Sequence, residues 1–308
     1  MGTSSTHIPG LSVTPKPVEE KACILVHFDT DPHPSVFDRV VALDSGVQHL
    51  FSYGGVTPAN VMALVHGCIF TRGPKDLHRT AIFVGGSDVA AGEQLVREIR
   101  NHMIPTAKLT VSVLLDSNGA NTTAAAAVRA AGKHVNLNQT ESLVLGGTGP
   151  VGQRVARLLA KHGGHVRIGS REIARAEAVA AKIRADIPHA KVQAVSVASS
   201  ADAPKALDGR ELVVAAGAPG AVLLPRKVRD TAKELRLMID LNGVPPVGIE
   251  GVDLMDAGTV RDGIVSYGAL GVGAAKMKIH RAAIAALFTR NDASMDIEEI
   301  YDIALSNQ

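Results

Sequence analysis

Tryptophan is absent and aromatic side chains make up only 3% of the 308 residues, so the chain lacks the stacking rings that hold single-stranded nucleic acid. No charge of one sign prevails either. Thirty-two Lys and Arg against 30 Asp and Glu leave a formal charge of +2, with no basic run to follow a phosphate backbone. Both deficits argue against nucleic-acid binding. The two cysteines, Cys23 and Cys68, lie in apolar runs; they are too few for a disulfide framework and suggest buried free thiols in a reducing cytoplasm. No apolar run approaches the ~20 residues that cross a bilayer. The opening stretch, MGTSSTHIPGLSVTPKPVEEK, has neither the basic start nor the apolar core of a signal peptide. Residues 1–21 read as a flexible extension of a soluble protein with no membrane partner.

What the chain does have is apolar material, 46% of its residues, enough for two domains with cores of their own. From Ala22 onward, short apolar or β-branched runs alternate with helical stretches, the order of an α/β protein with parallel strands. In the first half, strands are expected at 22–28, 68–71, 81–85 and 109–116, separated by helices near 35–43, 59–66 and 88–103. In the second half SLVLG, HVRIGS, KVQAVSV, ELVVAAG, LRLMIDLN and IVSYGAL alternate with helices in the cadence of a doubly wound nucleotide-binding domain; a last helix is expected over 274–289. The architecture expected is a Rossmann-type dinucleotide-binding domain at 126–276 and a second α/β, substrate-binding domain at 22–125, with a cleft between them. Residues 277–308 are expected to pack back on the first domain.

Gly147-Thr148-Gly149-Pro150-Val151-Gly152 fits the G-x-G-x-x-G pattern. The first glycine permits the tight turn, the second lets backbone approach a pyrophosphate, and the third packs helix on strand. The stretch follows a strand and opens a helix on which Val151, Val155, Leu158 and Leu159 share a face. At the end of the next strand, where NAD-binding domains usually place Asp or Glu, stands Gly169-Ser170-Arg171, with Arg175 one turn later. No carboxylate is there to repel a 2′-phosphate, and Arg171 can pair with one bidentately. NADP is therefore the expected cofactor, with NAD use possible; the competing reading makes Arg171 and Arg175 a solvated face beside Glu172. Ala216 and Gly217 in AAGAPG, and Asp240 and Asn242 in DLNGVPP, close two later strands and could lie against nicotinamide and ribose, with turn formation as the alternative.

A dinucleotide fold hosts many hydride transfers, so the substrate must be sought in the other half. His27, Asp29, Asp31 and His33 in HFDTDPHPS have metal-ligating types, but alternate residues after a strand point to opposite faces. A binding loop offering carboxylates is preferred, and no metal is expected. The loop Asp116-Ser117-Asn118-Gly119-Ala120-Asn121-Thr122-Thr123 either caps the helix after it or presents Asp116, Asn118, Asn121 and Thr122 to a ligand. In GVGAAKMKIHRAAIAAL, Lys276 and His280 share a helix face; a lysine at a helix start, after a glycine-rich turn, is disfavoured by the dipole and asks for a functional reason.

Taken in order, FDTD with PSVFD, YGGVTPANV, TRG, TAIFVGGSDVAAGE, LDSNGANTTAAA, GGTGPVG, PPVGIEGVD and YGALGVGAAKMKIHRA resemble the NADP-dependent methylene-tetrahydromethanopterin dehydrogenases of methylotrophic bacteria. The resemblance runs from about Ala22 to the end. It implies hydride transfer from the methylene bridge of methylene-tetrahydromethanopterin to NADP in one-carbon metabolism (formaldehyde oxidation), with the tetrahydrofolate analogue and NAD accepted by some members. It implies that Lys276 is the active-site lysine, and that the pterin lies between the loop of Asp29 and Asp31, the turn of Ser87 and Asp88, and the DSNGANTT loop. It also implies a homo-oligomer. Two other readings remain beside it: a shikimate-type small-acid NADP dehydrogenase, which needs a Lys/Asp pair in the first domain, and a non-catalytic NADP-sensing regulator.

Overall fold

A computed structural model describes residues 20–199 and 201–306; residues 1–19 of the expected extension lie outside the described residues. The first half runs β1 (Ile24–Asp29), α1 (Val36–Asp44), β2 (His49–Tyr53), α2 (Val61–Phe70), β3 (Thr80–Gly85), α3 (Val89–Asn101), β4 (Ser112–Leu115) and α4 (Ala120–Ala131). The second continues β5 (Glu141–Leu145), α5 (Pro150–Lys161), β6 (His165–Ser170), α6 (Ile173–Asp186), β7 (Lys191–Ser196), α7 (Asp202–Leu207), β8 (Leu212–Ala215), α8 (Arg226–Arg229), β9 (Leu237–Asp240), β10 (Ala257–Arg261), β11 (Ile264–Tyr267) and α9 (Ala269–Ala286). It ends in the short β12 (Ser294–Met295) and α10 (Ile297–Ser306).

The strands form two sheets, ordered β12-β4-β3-β1-β2 and β10-β11-β9-β8-β5-β6-β7. The first is parallel throughout, and the second is parallel except where β10 meets β11. Such strands are covered on both faces and read as unbroken apolar runs; all six residues of β3, TAIFVG, are buried. In each sheet the chain builds outward in one direction and then restarts on the other side of its first strand. The reversals fall between β1 and β3 and between β5 and β8, and crevices at such points are where α/β sheets take ligands.

Helix α4 carries the chain from the first sheet to the second, and ten of its twelve residues are buried. Its alanines, Ala124 to Ala127 with Ala130 and Ala131, let α9 and α10 approach closely, and one apolar core runs through this layer into both sheets. After α9, β12 joins the edge of the first sheet beside β4. The positions expected as domain limits, 125 and 276, fall inside α4 and α9. Among the described residues no helix is long and apolar enough to cross a membrane.

Three expectations need correction. Residues 68–71 are not a strand: Val61, Val65, Cys68 and Ile69 of α2 are the buried positions, a helical spacing hidden by β-branched residues. The strand missed there is β2, an edge strand whose Phe51 and Tyr53 stay exposed, so it has no apolar run to betray it. Finally, α9 begins at Ala269, placing Lys276 two turns inside the helix, and Gly271 and Gly273 belong to the helix rather than to a turn. A Cβ at Gly271 would sit on the Asp256 carbonyl oxygen; that glycine serves the close approach of α9 to the preceding loop.

Candidate active site

At the first crevice, Asp29 ends β1 fully buried, and its carboxylate accepts the backbone N–H of Asp31 at 2.8 Å and of Ser35 at 2.9 Å. Asp31 reaches across the crevice and accepts from the Ser87 N–H and hydroxyl, both at 2.9 Å. Asp88 caps α3 through the Ala91 N–H at 3.0 Å. Asp116, 1% exposed, accepts from the N–H groups of Asn121 and Thr122 and from the Thr122 hydroxyl at 2.6 Å. In the DSNGANTT loop it is thus the Asp116 carboxylate, rather than an Asn or Thr side chain, that holds the first N–H groups of α4, and Asp116, Asn121 and Thr122 are buried and build the loop.

The residue that projects from that loop is Asn118, held at φ +54° with its N–H on the Gly86 carbonyl at 2.7 Å. Asn118, Gly119, Asp31, Gly86 and Ser87 line an open pocket of about 330 Å³, completed by Ser35, which caps α1, by Phe37 and Asp38 from α1 and by Lys276 from α9. Of the residues expected to meet substrate, Asp31, Ser87, Asn118 and Lys276 line this pocket, whereas Asp29, Asp88, Asp116, Asn121 and Thr122 lie behind it as supports. Ser35, Phe37 and Asp38 were not singled out from sequence. Their signal is position: they open the helix that follows a strand-end loop.

Lys276 sits over the Phe37 ring, 5.4 Å from its centroid, a cation–π arrangement. Its ammonium packs on the bare face of Gly119, where a Cβ would collide with it. It makes no direct ion pair among the described residues, but its charge acts on carboxylates nearby. Burial pushes the Asp116 carboxyl up to about 6, opposed by the Lys276 charge and by the Thr122 and Asn121 hydrogen bonds. Burial also raises Asp38, opposed by His280 and Lys276 and reinforced by Asp116. Beneath them, His280 is buried with no hydrogen-bond partner at either ring nitrogen, and His27, equally buried, has its Nε2 3.4 Å from the Asp29 carboxylate. Burial pushes each imidazole down to about 4, so both are neutral at physiological pH. Among the described residues no cluster of three His, Cys, Asp or Glu could hold a metal ion.

At the second crevice the glycine loop fits a dinucleotide. No side chain caps α5, whose cap is Gly149 and whose first residue is Pro150, so its first N–H groups point outward as an anion site requires. Gly146, Gly147 and Gly152 are each held by close packing. A Cβ at Gly146 would meet the Gly217 Cα at 2.5 Å, one at Gly147 would meet Ile168 at 2.8 Å, and one at Gly152 the Gly146 carbonyl oxygen at 2.5 Å. Thr148 and Pro150 are tied down through their carbonyls, by Gln153 at 2.8 Å and Arg154 at 3.2 Å. Ser170 ends β6, 8% exposed, accepting the Glu172 N–H. Arg171 is exposed and forms no ion pair among the described residues, while Arg175 pairs loosely with Glu172 at 3.5 Å. Ala216 follows β8, its N–H on the Leu145 carbonyl. Asn242 is 5% exposed and uses its side chain on Pro246 and Val244; it shapes its own loop, which is the turn-forming alternative.

Two parallel sheets sharing a helical layer, one carrying a glycine loop at its reversal, define a two-domain α/β dehydrogenase fold. It resembles that of 5-ketofructose reductase of Gluconobacter sp. strain CHM43 (TM-score 0.56, 15% identity, covering 93% of this chain and 99% of that one). Shikimate 5-dehydrogenase from Listeria monocytogenes is similar in the same way (TM-score 0.55, 15% identity, 94% and 99%); both show the fold alone. Residues 36–118 match the model of the methylene-tetrahydromethanopterin dehydrogenase N-terminal domain. Over 285 residues the chain is 44% identical to "Bifunctional protein MdtA" of Methylorubrum extorquens, covering 91% of this chain and 97% of that one. It is 28% identical to the NAD(P)-dependent methylenetetrahydromethanopterin dehydrogenase of the same organism, covering 89% and 94%. The chain belongs to the methylene-tetrahydromethanopterin dehydrogenase family.

Proposed function

We propose that the protein oxidises methylene-tetrahydromethanopterin to its methenyl derivative by hydride transfer to NADP, in the one-carbon metabolism of formaldehyde oxidation. The observation that carries this reading is Lys276, brought by α9 from the second sheet into a pocket walled by three loops of the first. The first unit holds the pterin and the second the dinucleotide. Bound NADP supplies the nicotinamide that accepts the hydride.

The chain's own part is orientation. A departing hydride leaves a cation shared by two nitrogens, so no base has to remove a proton, and holding the reacting carbon in line gives most of the acceleration. Lys276, steadied by Phe37 and the seat at Gly119, hydrogen-bonds and positions the pterin. Asp31, Ser87 and Asn118 offer polar groups to its ring edge, and the Asp38 and Asp116 carboxylates offset the charge of Lys276 and of the product. Gly147, Thr148, Gly149, Val151 and Gly152 cradle the pyrophosphate, and Arg171 with Ser170 takes the 2′-phosphate.

The shikimate-type reading loses its support. Lys75 and Asp76 lie in a 3-10 turn, Pro74–Arg79, that precedes β3, at the amino ends of the strands and away from the pocket. The sensor reading and the choice of carrier are tested together by following the nicotinamide absorbance with methylene-tetrahydromethanopterin and methylene-tetrahydrofolate against NADP and NAD. Turnover with the first carrier and NADP is expected; none with any pair would leave the sensor. Free Cys23 and Cys68 support a cytoplasmic location. An exposed apolar strip, Val36, Val40 and Leu43 of α1 beside half-buried Leu50 on edge strand β2, supports a homo-oligomer.

A further inference from the structure

Arg154 lies on α5, one turn past Pro150 of the glycine loop, and is only 8% exposed. Its neighbours Val155, Leu158 and Leu159 supply the apolar packing of this helix, so packing does not require a guanidinium here. Nη1 donates to the Pro150 carbonyl at 3.2 Å, Nε to the Asn121 Oδ1, and Nη2 to the Glu93 carboxylate at 2.9 Å. The three acceptors belong to three different loop-helix junctions. Pro150 opens the helix of the glycine loop, Asn121 is in the first turn of α4 after DSNGANTT, and Glu93 is near the start of α3 after GGSD. Asn121 is itself fixed, donating to the Leu115 carbonyl at 2.6 Å and to Asp296 at 2.9 Å, while its N–H donates to Asp116.

We propose that Arg154 is a positioning residue that sets the spacing between the dinucleotide loop and the pterin pocket. A guanidinium is suited to this because its donors are fixed in one plane, whereas a lysine offers one flexible point charge. Its charge is not there to bind a ligand. The groove of about 660 Å³ in whose wall it lies carries five basic and five acidic side chains and so no net charge to draw an ion. The inference rests on the proposed hydride transfer, and its test separates the two.

The test compares wild type with Arg154→Lys and Glu93→Gln. NADPH and carrier affinities are measured separately by fluorescence titration, then carrier affinity with NADP present, alongside kcat and melting temperature. Expected for Arg154→Lys is a fall in kcat of about 10- to 100-fold, the scale of a small misplacement of reacting groups. Each separate affinity should hold within about threefold while any cooperativity between the two ligands disappears. Glu93→Gln removes the carboxylate charge from one of the three bonds, at a part-exposed position, and should show the same pattern in smaller measure. Should Arg154→Lys fail to fold, Glu93→Gln decides alone. A folded variant with wild-type kcat and ligand coupling overturns the proposal, as does a loss confined to melting temperature or to one separate affinity. An inactive wild type overturns the hydride-transfer reading instead.

Discussion

Replacing Gly152 with alanine sets two structural terms against each other. In an exposed helix the change is favourable, since alanine exceeds glycine in helix propensity by about 1 kcal/mol. Here the new Cβ would lie 2.5 Å from the Gly146 carbonyl oxygen and 2.8 Å from the Gly147 Cα. Both are backbone atoms and cannot rotate away. An ordinary contact begins at 3.4 Å, so helix and loop must part by about 1 Å, which exceeds the tolerance of a hydrogen bond near its optimum length. Losing one N–H bond to a charged phosphate oxygen costs about 1.5–3 kcal/mol, or roughly 10- to 150-fold in NADP affinity. The carrier pocket does not touch this contact, so carrier affinity measured without NADP should stay as in wild type. NADPH fluorescence titration gives the dissociation constant, and a thermal melt shows the sign of the stability change. A more stable Gly152→Ala protein with unchanged NADPH affinity would mean that the Gly146 contact relaxes without opening the loop.

Lys276→Met should lower kcat/KM by about 100-fold through lost orientation and leave NADPH affinity intact; unchanged turnover would remove the lysine from the site. Gly119→Ala should act in the same direction, because its φ of +58° strains any side chain and the Cβ lands on the Lys276 ammonium. Arg171→Ala should weaken NADP about 10- to 100-fold, the worth of a charge-assisted bond, with little effect on NAD, as measured by the ratio of the two kcat/KM values. Buried neutral His280 gives stability that is complete above its unfolded pKa near 6.5 and lost as pH falls towards about 4. That loss is worth about 3 kcal/mol, and His27, lowered by burial against the opposing charge of Asp29, acts in the same direction. His280→Leu should lessen the decline in denaturant-unfolding free energy between pH 7 and pH 4.5; an unaltered slope would mean the imidazole is not buried neutral.

The second sheet was legible in sequence because its strands are buried on both faces and its loop chemistry is local. LVVA and LMID are apolar runs bounded by turns, and the glycine spacing is read from seven consecutive residues. Of the four edge strands only β7 was legible. Strand β2 alternates exposed and half-buried residues, β12 has two residues, and β10 hangs on an antiparallel pairing with β11 that no parallel cadence predicts. Their existence is decided by a neighbour far away in the chain rather than by their own composition.

The same division runs through the site. Asp29, Asp116, Asn121 and Thr122 stood out because polar residues cluster there, and the fold spends the two carboxylates on backbone amides within six positions of each and the Thr122 hydroxyl on Asp116. A cluster after a strand is what a tightly turned loop needs for its own N–H groups, whatever ligand sits above. The groups left facing the pocket have their neighbours far off in the chain: Lys276 lies over Phe37 and against Gly119, and Asp31 holds Ser87. Pairings over such separations leave no periodic trace in a single sequence. Arg154 is the extreme case, read from sequence as one polar residue on an amphipathic helix, yet bonded to three junctions that the chain brings together only when both sheets are in place.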